Sequence, residues 1–140
     1  METLYGLSIR QPWLDMIVRG VKTMEIRGWT TKHRGIIALH APWRIAFETA
    51  YFYGYESPWM LPRGKIVAVA EIADILELNS DSSQAFLEQH RLPLPVGDGA
   101  YGFLLSSVRL LEQPVACRGR LGLFQLPEKV AMHVLRFAHL

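Results

Sequence analysis

The chain has 140 residues, half of them apolar and a fifth charged, with a single cysteine, Cys117. That length suits one domain able to bury roughly two-thirds of its unfolded surface, and the composition excludes a disordered chain, an intramolecular disulfide and a cysteine-built zinc site. Net charge is only +2, yet residues 1–44 carry seven basic and three acidic side chains, 45–100 three and eight, and 101–140 five and two; two basic segments meeting in space would make a positive face suited to an anion, the alternative being an ordinary mixed surface.

Residues 4–9 (LYGLSI) read as a strand. Pro12 then falls where a first helical turn tolerates it, and Trp13, Met16 and Ile17 recur at helical spacing before Gly20, which predicts a helix of about two turns. Met24 to Trp29 and Gly35 to Ala41 are β-rich runs joined by TTKHR, a polar stretch suited to a hairpin-like connection. Trp43, Phe47 and Tyr51 at i, i+4 and i+8 predict a helix over 43–53 with these three rings in the core, leaving Tyr53, Tyr55 and Trp59 for a lid or a partner surface.

Ile66 to Leu78 is a long β-branched run, and Asp81 to Gln89 reads as a helix capped by Ser80 or Asp81. The Pro/Gly-rich run from Arg91 to Ala100 is the longest irregular stretch. Two strands are expected at 101–111 and 114–126, and Pro127 opens a last helix. About six strands with helices inserted between them, not alternating one for one, predict an α+β fold built as a mixed β-barrel. One domain spanning 1–140 is expected. The N-terminus lacks a basic and then apolar leader pattern, and no stretch approaches the roughly 18 apolar residues of a membrane span. A cytoplasmic protein with no membrane association is therefore the expectation.

Several side chains on these elements can carry chemistry. In a regular strand Thr23, Glu25 and Arg27 share one face, so Glu25 and Arg27 project together, with Lys22 at the strand's entrance; a plain charge pair on a solvated face is the structural alternative. Glu71 has Val67, Val69, Ala73 and Ile75 on its own face. A carboxylate among them is expected to pair with Lys22 or Arg27 or to titrate high, as a structural ion pair at the rim or as a functional group. His40 ends the run Ile36 to Leu39 and is open to a structural or a ligand-binding role. Gln11 and Trp13 place an amide and an indole at the start of the first helix, where free N–H groups favour anions and a base could stack, although Trp13 also belongs to that helix's apolar set. The histidines at 33, 40, 90, 133 and 139 include no pair at metal-ligand spacing, so no metal or other cofactor is expected.

The string GVKTMEIR at 20–27, preceded by SIRQPW at 8–13 and followed by RGIIALHA at 34–41, resembles the ASCH family of the PUA-like superfamily, with Gly20, Lys22, Glu25 and Arg27 filling its signature. GKIVAVAEIAD at 64–74 and AYGFLLSSVRLLEQPVACRGRLGLFQL near the end extend the resemblance over nearly the whole chain. It implies a PUA-like β-barrel with a cleft beside the first helix. The implied function is binding of RNA, another nucleic acid or a modified nucleobase through Arg10, Gln11, Trp13, Lys22, Arg27 and His40. The alternative it implies is a small metal-independent hydrolase of acylated nucleosides or RNA, with Lys22, Glu25 and Glu71 at its centre. Against that alternative, the related amidohydrolases carry a threonine where this chain has Glu25.

Overall fold

The computed structural model describes residues 3–92 and 96–140. Six strands form one sheet: β1 (Tyr5–Ser8), β2 (Met24–Arg27), β3 (Gly35–Ala41), β4 (Lys65–Leu78), β5 (Ala100–Ala116) and β6 (Leu123–Gln125). The helices are α1 (Trp13–Val18), α2 (Phe47–Phe52), α3 (Ser80–Ala85), α4 (Leu87–His90) and α5 (Glu128–Phe137), with a 3-10 turn at Pro58–Met60. Among the described residues no helix is long and apolar enough to cross a membrane.

The strand order is β2-β5-β4-β3-β1-β6, with β1 parallel to β3 and every other neighbouring pair antiparallel. The expected barrel is corrected here: β2 and β6 are the two edges and do not pair, so the sheet stays open. The strand count of six holds, but its partition does not. Residues 101–116 form one strand with the residue before them, and β6 is only three residues long. The β4 and β5 ladder slips register between Ile66 and Ala68, Val69 and Glu71, and Ile72 and Asp74. Such bulges bend and twist a long antiparallel ribbon, which lets one hairpin bend across the sheet.

One face of the sheet carries Leu7, Ile9, Ile37, Leu39, Ala68, Ala70, Ile72 and Phe103 and packs on Leu14 and Ile17 of α1. Each leucine, isoleucine or phenylalanine side chain buried this way contributes about 1.5–3 kcal/mol. The other face carries Ile66, Val69, Leu111 and Phe124 and packs on Ala131, Val134 and Ala138 along α5. Spacings of three and then four residues make the apolar stripe an amphipathic helix needs.

Two helices differ from expectation. Helix α2 starts at Phe47, not Trp43, and Trp43, Phe47 and Tyr51 all stand exposed; their spacing matches a helical stripe, but the core facing them is already filled by Ile45 and Ala50. Helix α3 is capped by Asn79, whose Oδ1 accepts from Ser82 N while Ser82 Oγ accepts from Asn79 N. That reciprocal pair is a capping box shifted one residue ahead of the expected cap. The irregular run expected over Arg91–Ala100 lies partly outside the described residues.

Candidate functional site

Helix α1 brings its first residues and the following turn against the entrance of β2. Gln11 Oε1 accepts the Asp15 N–H at 2.8 Å and its Nε2 donates to Pro62 O at 3.1 Å. The amide is buried, with one N–H and its oxygen engaged inside the fold, so it does not reach the surface as a ligand contact would, and it occupies a first-turn N–H that an anion would have needed. Gly20, at φ +78°, turns the chain out of α1, a conformation glycine adopts without steric cost. Val21 N and Lys22 N then close back on Met16 O at 2.9 and 3.2 Å, which points the Lys22 side chain inward.

Lys22 is 1% exposed. Its ammonium donates to His90 O at 2.5 Å, stands 3.5 Å from Glu25 Oε1 and lies 5.0 Å from the centre of the Trp13 ring. Burial pulls its pKa below the usual lysine value, opposed by the Glu25 carboxylate. The second Glu25 oxygen accepts from Arg27 Nη2 at 2.8 Å, and the same nitrogen donates to Ser8 O at 2.5 Å. One carboxylate thus sits between two cations, and Arg27 is tied to both β2 and β1. Its Nε is buried without an acceptor among the described residues.

Beside this cluster opens a cleft of about 580 Å³ whose wall includes Ser8, Arg10, Trp13, Glu25, Arg27, Thr49 and Arg120. Arg10 and Arg27 come from the first basic segment of the chain and Arg120 from the last. Lys22 is not part of that wall: it lies behind Glu25 and Trp13, so the expected ligand contact becomes support from below. Trp13 packs against the core and also lines the cleft. Tyr53 meets it edge-on at 5.6 Å, and the Tyr53 hydroxyl donates to Arg91 O. Tyr55 donates to Asp15 at 2.5 Å. These two tyrosines fasten the segment after α2 to its neighbours instead of forming a lid, while Trp59 stands exposed.

Glu71 is not in this cleft. It is exposed, in register with Ile36 and Ser106, and lines a separate cavity with Val69, Arg109 and Leu140. The expectation of a buried carboxylate paired with Lys22 or Arg27 fails for two reasons. The bulges break strict alternation along β4, and α5 covers its outer face at Ile66 and Val69 but ends before Glu71. No ion pair to Glu71 is formed among the described residues.

His40 is buried, with Nε2 2.7 Å from Cys117 O and Nδ1 2.9 Å from Ser8 Oγ. A carbonyl only accepts, so Nε2 carries the proton and Nδ1 accepts from the Ser8 hydroxyl. Burial lowers its pKa, in keeping with a neutral ring. Both nitrogens are occupied, so His40 positions other groups and offers no ring nitrogen to a ligand. Gly119 passes directly over this pair: a Cβ there would stand 2.5 Å from His40 Cε1 and 2.7 Å from Ser8 Oγ.

Sequence reasoning missed Ser8, Thr49 and Arg120. Ser8 had a signal, since it opens the SIRQPW string; Thr49 and Arg120 reach the cleft only through the packing of α2 and the loop before β6.

The ASCH domain family model matches residues 7–131. The chain belongs to the ASCH family. It is 25% identical over 135 residues to Activating signal cointegrator 1 of Homo sapiens and to that of Mus musculus, covering 89% of this chain and 22% of each relative. The chain therefore spans about a fifth of the length of the curated relatives it matches. The crystal structure of ASCH from Zymomonas mobilis superposes with a TM-score of 0.67 at 14% identity, covering 94% of this chain and 93% of that one. A point mutant of the same bacterial protein gives 0.68 at 14% identity, with 94% of each chain covered. These likenesses establish the α+β fold of an ASCH domain.

Proposed function

We propose that this ASCH domain binds single-stranded RNA, or a nucleobase within it, in the cleft beside α1. One observation carries the reading: Arg10, Arg27 and Arg120 converge on a concave surface where the one lining carboxylate among the described residues, Glu25, is already paired with two cations. Such a wall holds excess positive charge without a competing anion, which is what a phosphate backbone requires. Trp13 supplies an aromatic surface for an unstacked base. Lys22 and Gln11 act beneath the surface, holding Glu25 and α1 in place, and His40 holds Ser8.

The hydrolytic alternative is the weaker reading. Its three groups would have to meet, yet Glu71 lines a different cavity and Glu25 is held by Lys22 and Arg27. A doubly paired carboxylate is a poor general base, because both cations favour its charged form.

The test is fluorescence anisotropy of a short labelled single-stranded RNA across a salt series, with Arg10→Ala and Arg27→Ala. The affinity should fall as salt rises, with a slope of roughly −0.7 per neutralised phosphate, and each variant should bind more weakly with a shallower slope. Absence of binding at about 50 mM salt, or binding indifferent to salt, overturns the proposal.

A further inference from the structure

A second cleft of about 550 Å³ lies next to the first and shares Ser8, Pro42, Arg120 and Leu121 with it. Its own wall adds Trp43 and Arg118, with His40 and Gly119 alongside. Trp43 is 69% exposed, an unusual position for a large indole with no core partner. It is nonetheless held in place. The Arg63 guanidinium stacks 4.2 Å from its ring centre and also donates to Trp43 O at 3.5 Å. Trp43 lines the cleft and Arg63 does not.

The charge here matches that of the first cleft. Arg118 is exposed at the mouth, Arg120 stands on the shared rim, and neither forms an ion pair among the described residues. Among the described residues no carboxylate lines this second wall. Leu121, almost fully exposed beside Arg120, adds an apolar rim between the two depressions.

From this arrangement we infer that the second cleft is a subsite for the next base of the same single strand, with Trp43 as its stacking platform and Arg120 holding the intervening phosphate. The inference rests on the proposed nucleic-acid reading and extends it from one nucleotide to at least two. Stacking on a fixed indole tolerates any base, so this subsite would add affinity with little sequence preference. An Arg on a shared rim suits a phosphate, because a guanidinium can address two of its oxygens at once. The Arg63 stack fixes the indole in advance and reduces the ordering cost of binding.

The experiment compares uridine monophosphate with an oligouridylate of about six residues on the full chain, by titration with the parent protein, Trp43→Ala, Trp43→Phe and Arg27→Ala. Trp43→Ala should weaken the oligonucleotide about tenfold and leave the mononucleotide unchanged, and Trp43→Phe should keep most of the affinity. Because Trp43 is exposed, an unchanged circular dichroism spectrum and melting temperature are expected for both Trp43 variants. If Trp43→Ala binds the oligonucleotide as tightly as the parent while Arg27→Ala weakens it, the second subsite is wrong and the first cleft stands. Equal weakening of the mononucleotide by Trp43→Ala also overturns the inference. If the parent binds neither probe at low salt, the nucleic-acid reading itself fails.

Discussion

Glu25 holds the Arg27 guanidinium at 2.8 Å with one oxygen and faces the buried Lys22 ammonium at 3.5 Å with the other. This arrangement makes the carboxylate an internal brace and leaves the arginine, not the lysine, on the cleft wall. Glu25→Gln removes the charge and leaves Lys22 buried without a counter-ion, which should cost about 3 kcal/mol of stability. It should also weaken RNA binding even though net charge rises, because Arg27 loses its orientation. Chemical denaturation and anisotropy on the same variant check both; tighter RNA binding by Glu25→Gln would mean that charge alone matters.

Arg27→Lys keeps the charge but puts its only nitrogen on Glu25 and Ser8 O, the two contacts that Nη2 alone makes here, and has no planar guanidinium left to address a phosphate. Its affinity for single-stranded RNA should fall nearly as far as that of Arg27→Ala. Full retention of affinity by the lysine variant would show that a point charge suffices at this position.

Glu71 is exposed and without a counter-ion among the described residues. Glu71→Gln should therefore change stability by no more than about 0.5 kcal/mol and leave RNA binding untouched. A large loss of either, measured by denaturation and anisotropy, would place Glu71 in the site after all.

The acid side of the stability profile should report on His40. Its pKa is lowered from 6.5 by burial in the folded chain, so below that pH the unfolded chain takes up a proton that the folded one resists. Stability is full above about pH 6.5 and is lost as pH falls. Thermal melts from about pH 7.5 to about pH 5 should show this decline, and His40→Gln should flatten it while lowering the plateau. Gly119→Ala should behave like a broken Ser8–His40 pair, since its Cβ would force the two side chains apart. An unchanged pH profile in His40→Gln would assign the acid sensitivity elsewhere.

Much of this was legible in the sequence because local chemistry agreed with the final structure. The GVKTMEIR string placed Lys22, Glu25 and Arg27 together, and the first basic segment held both Arg10 and Arg27 of the cleft wall. Residues 35–41 were readable as a strand because a β-rich run followed a polar connecting stretch there. The rest failed where long-range packing decides. Glu71 looked buried from a period-two count, but bulges that depend on the β5 partner changed its surroundings. Trp43, Phe47 and Tyr51 looked like core, and only the tertiary arrangement shows that smaller side chains fill the space behind them. Barrel closure depends on whether β2 and β6 meet, and no local pattern encodes the distance between two edges.

The central claim is that single-stranded RNA occupies the cleft beside α1, and the most direct measurement is amide chemical-shift mapping of the full chain with a short single-stranded RNA at low salt. The largest shifts should fall on Ser8, Arg10, Trp13, Arg27, Thr49 and Arg120, and they should fade as salt is added. Shifts confined to α5 and the cavity beside Glu71, or no shifts at all, would contradict the account.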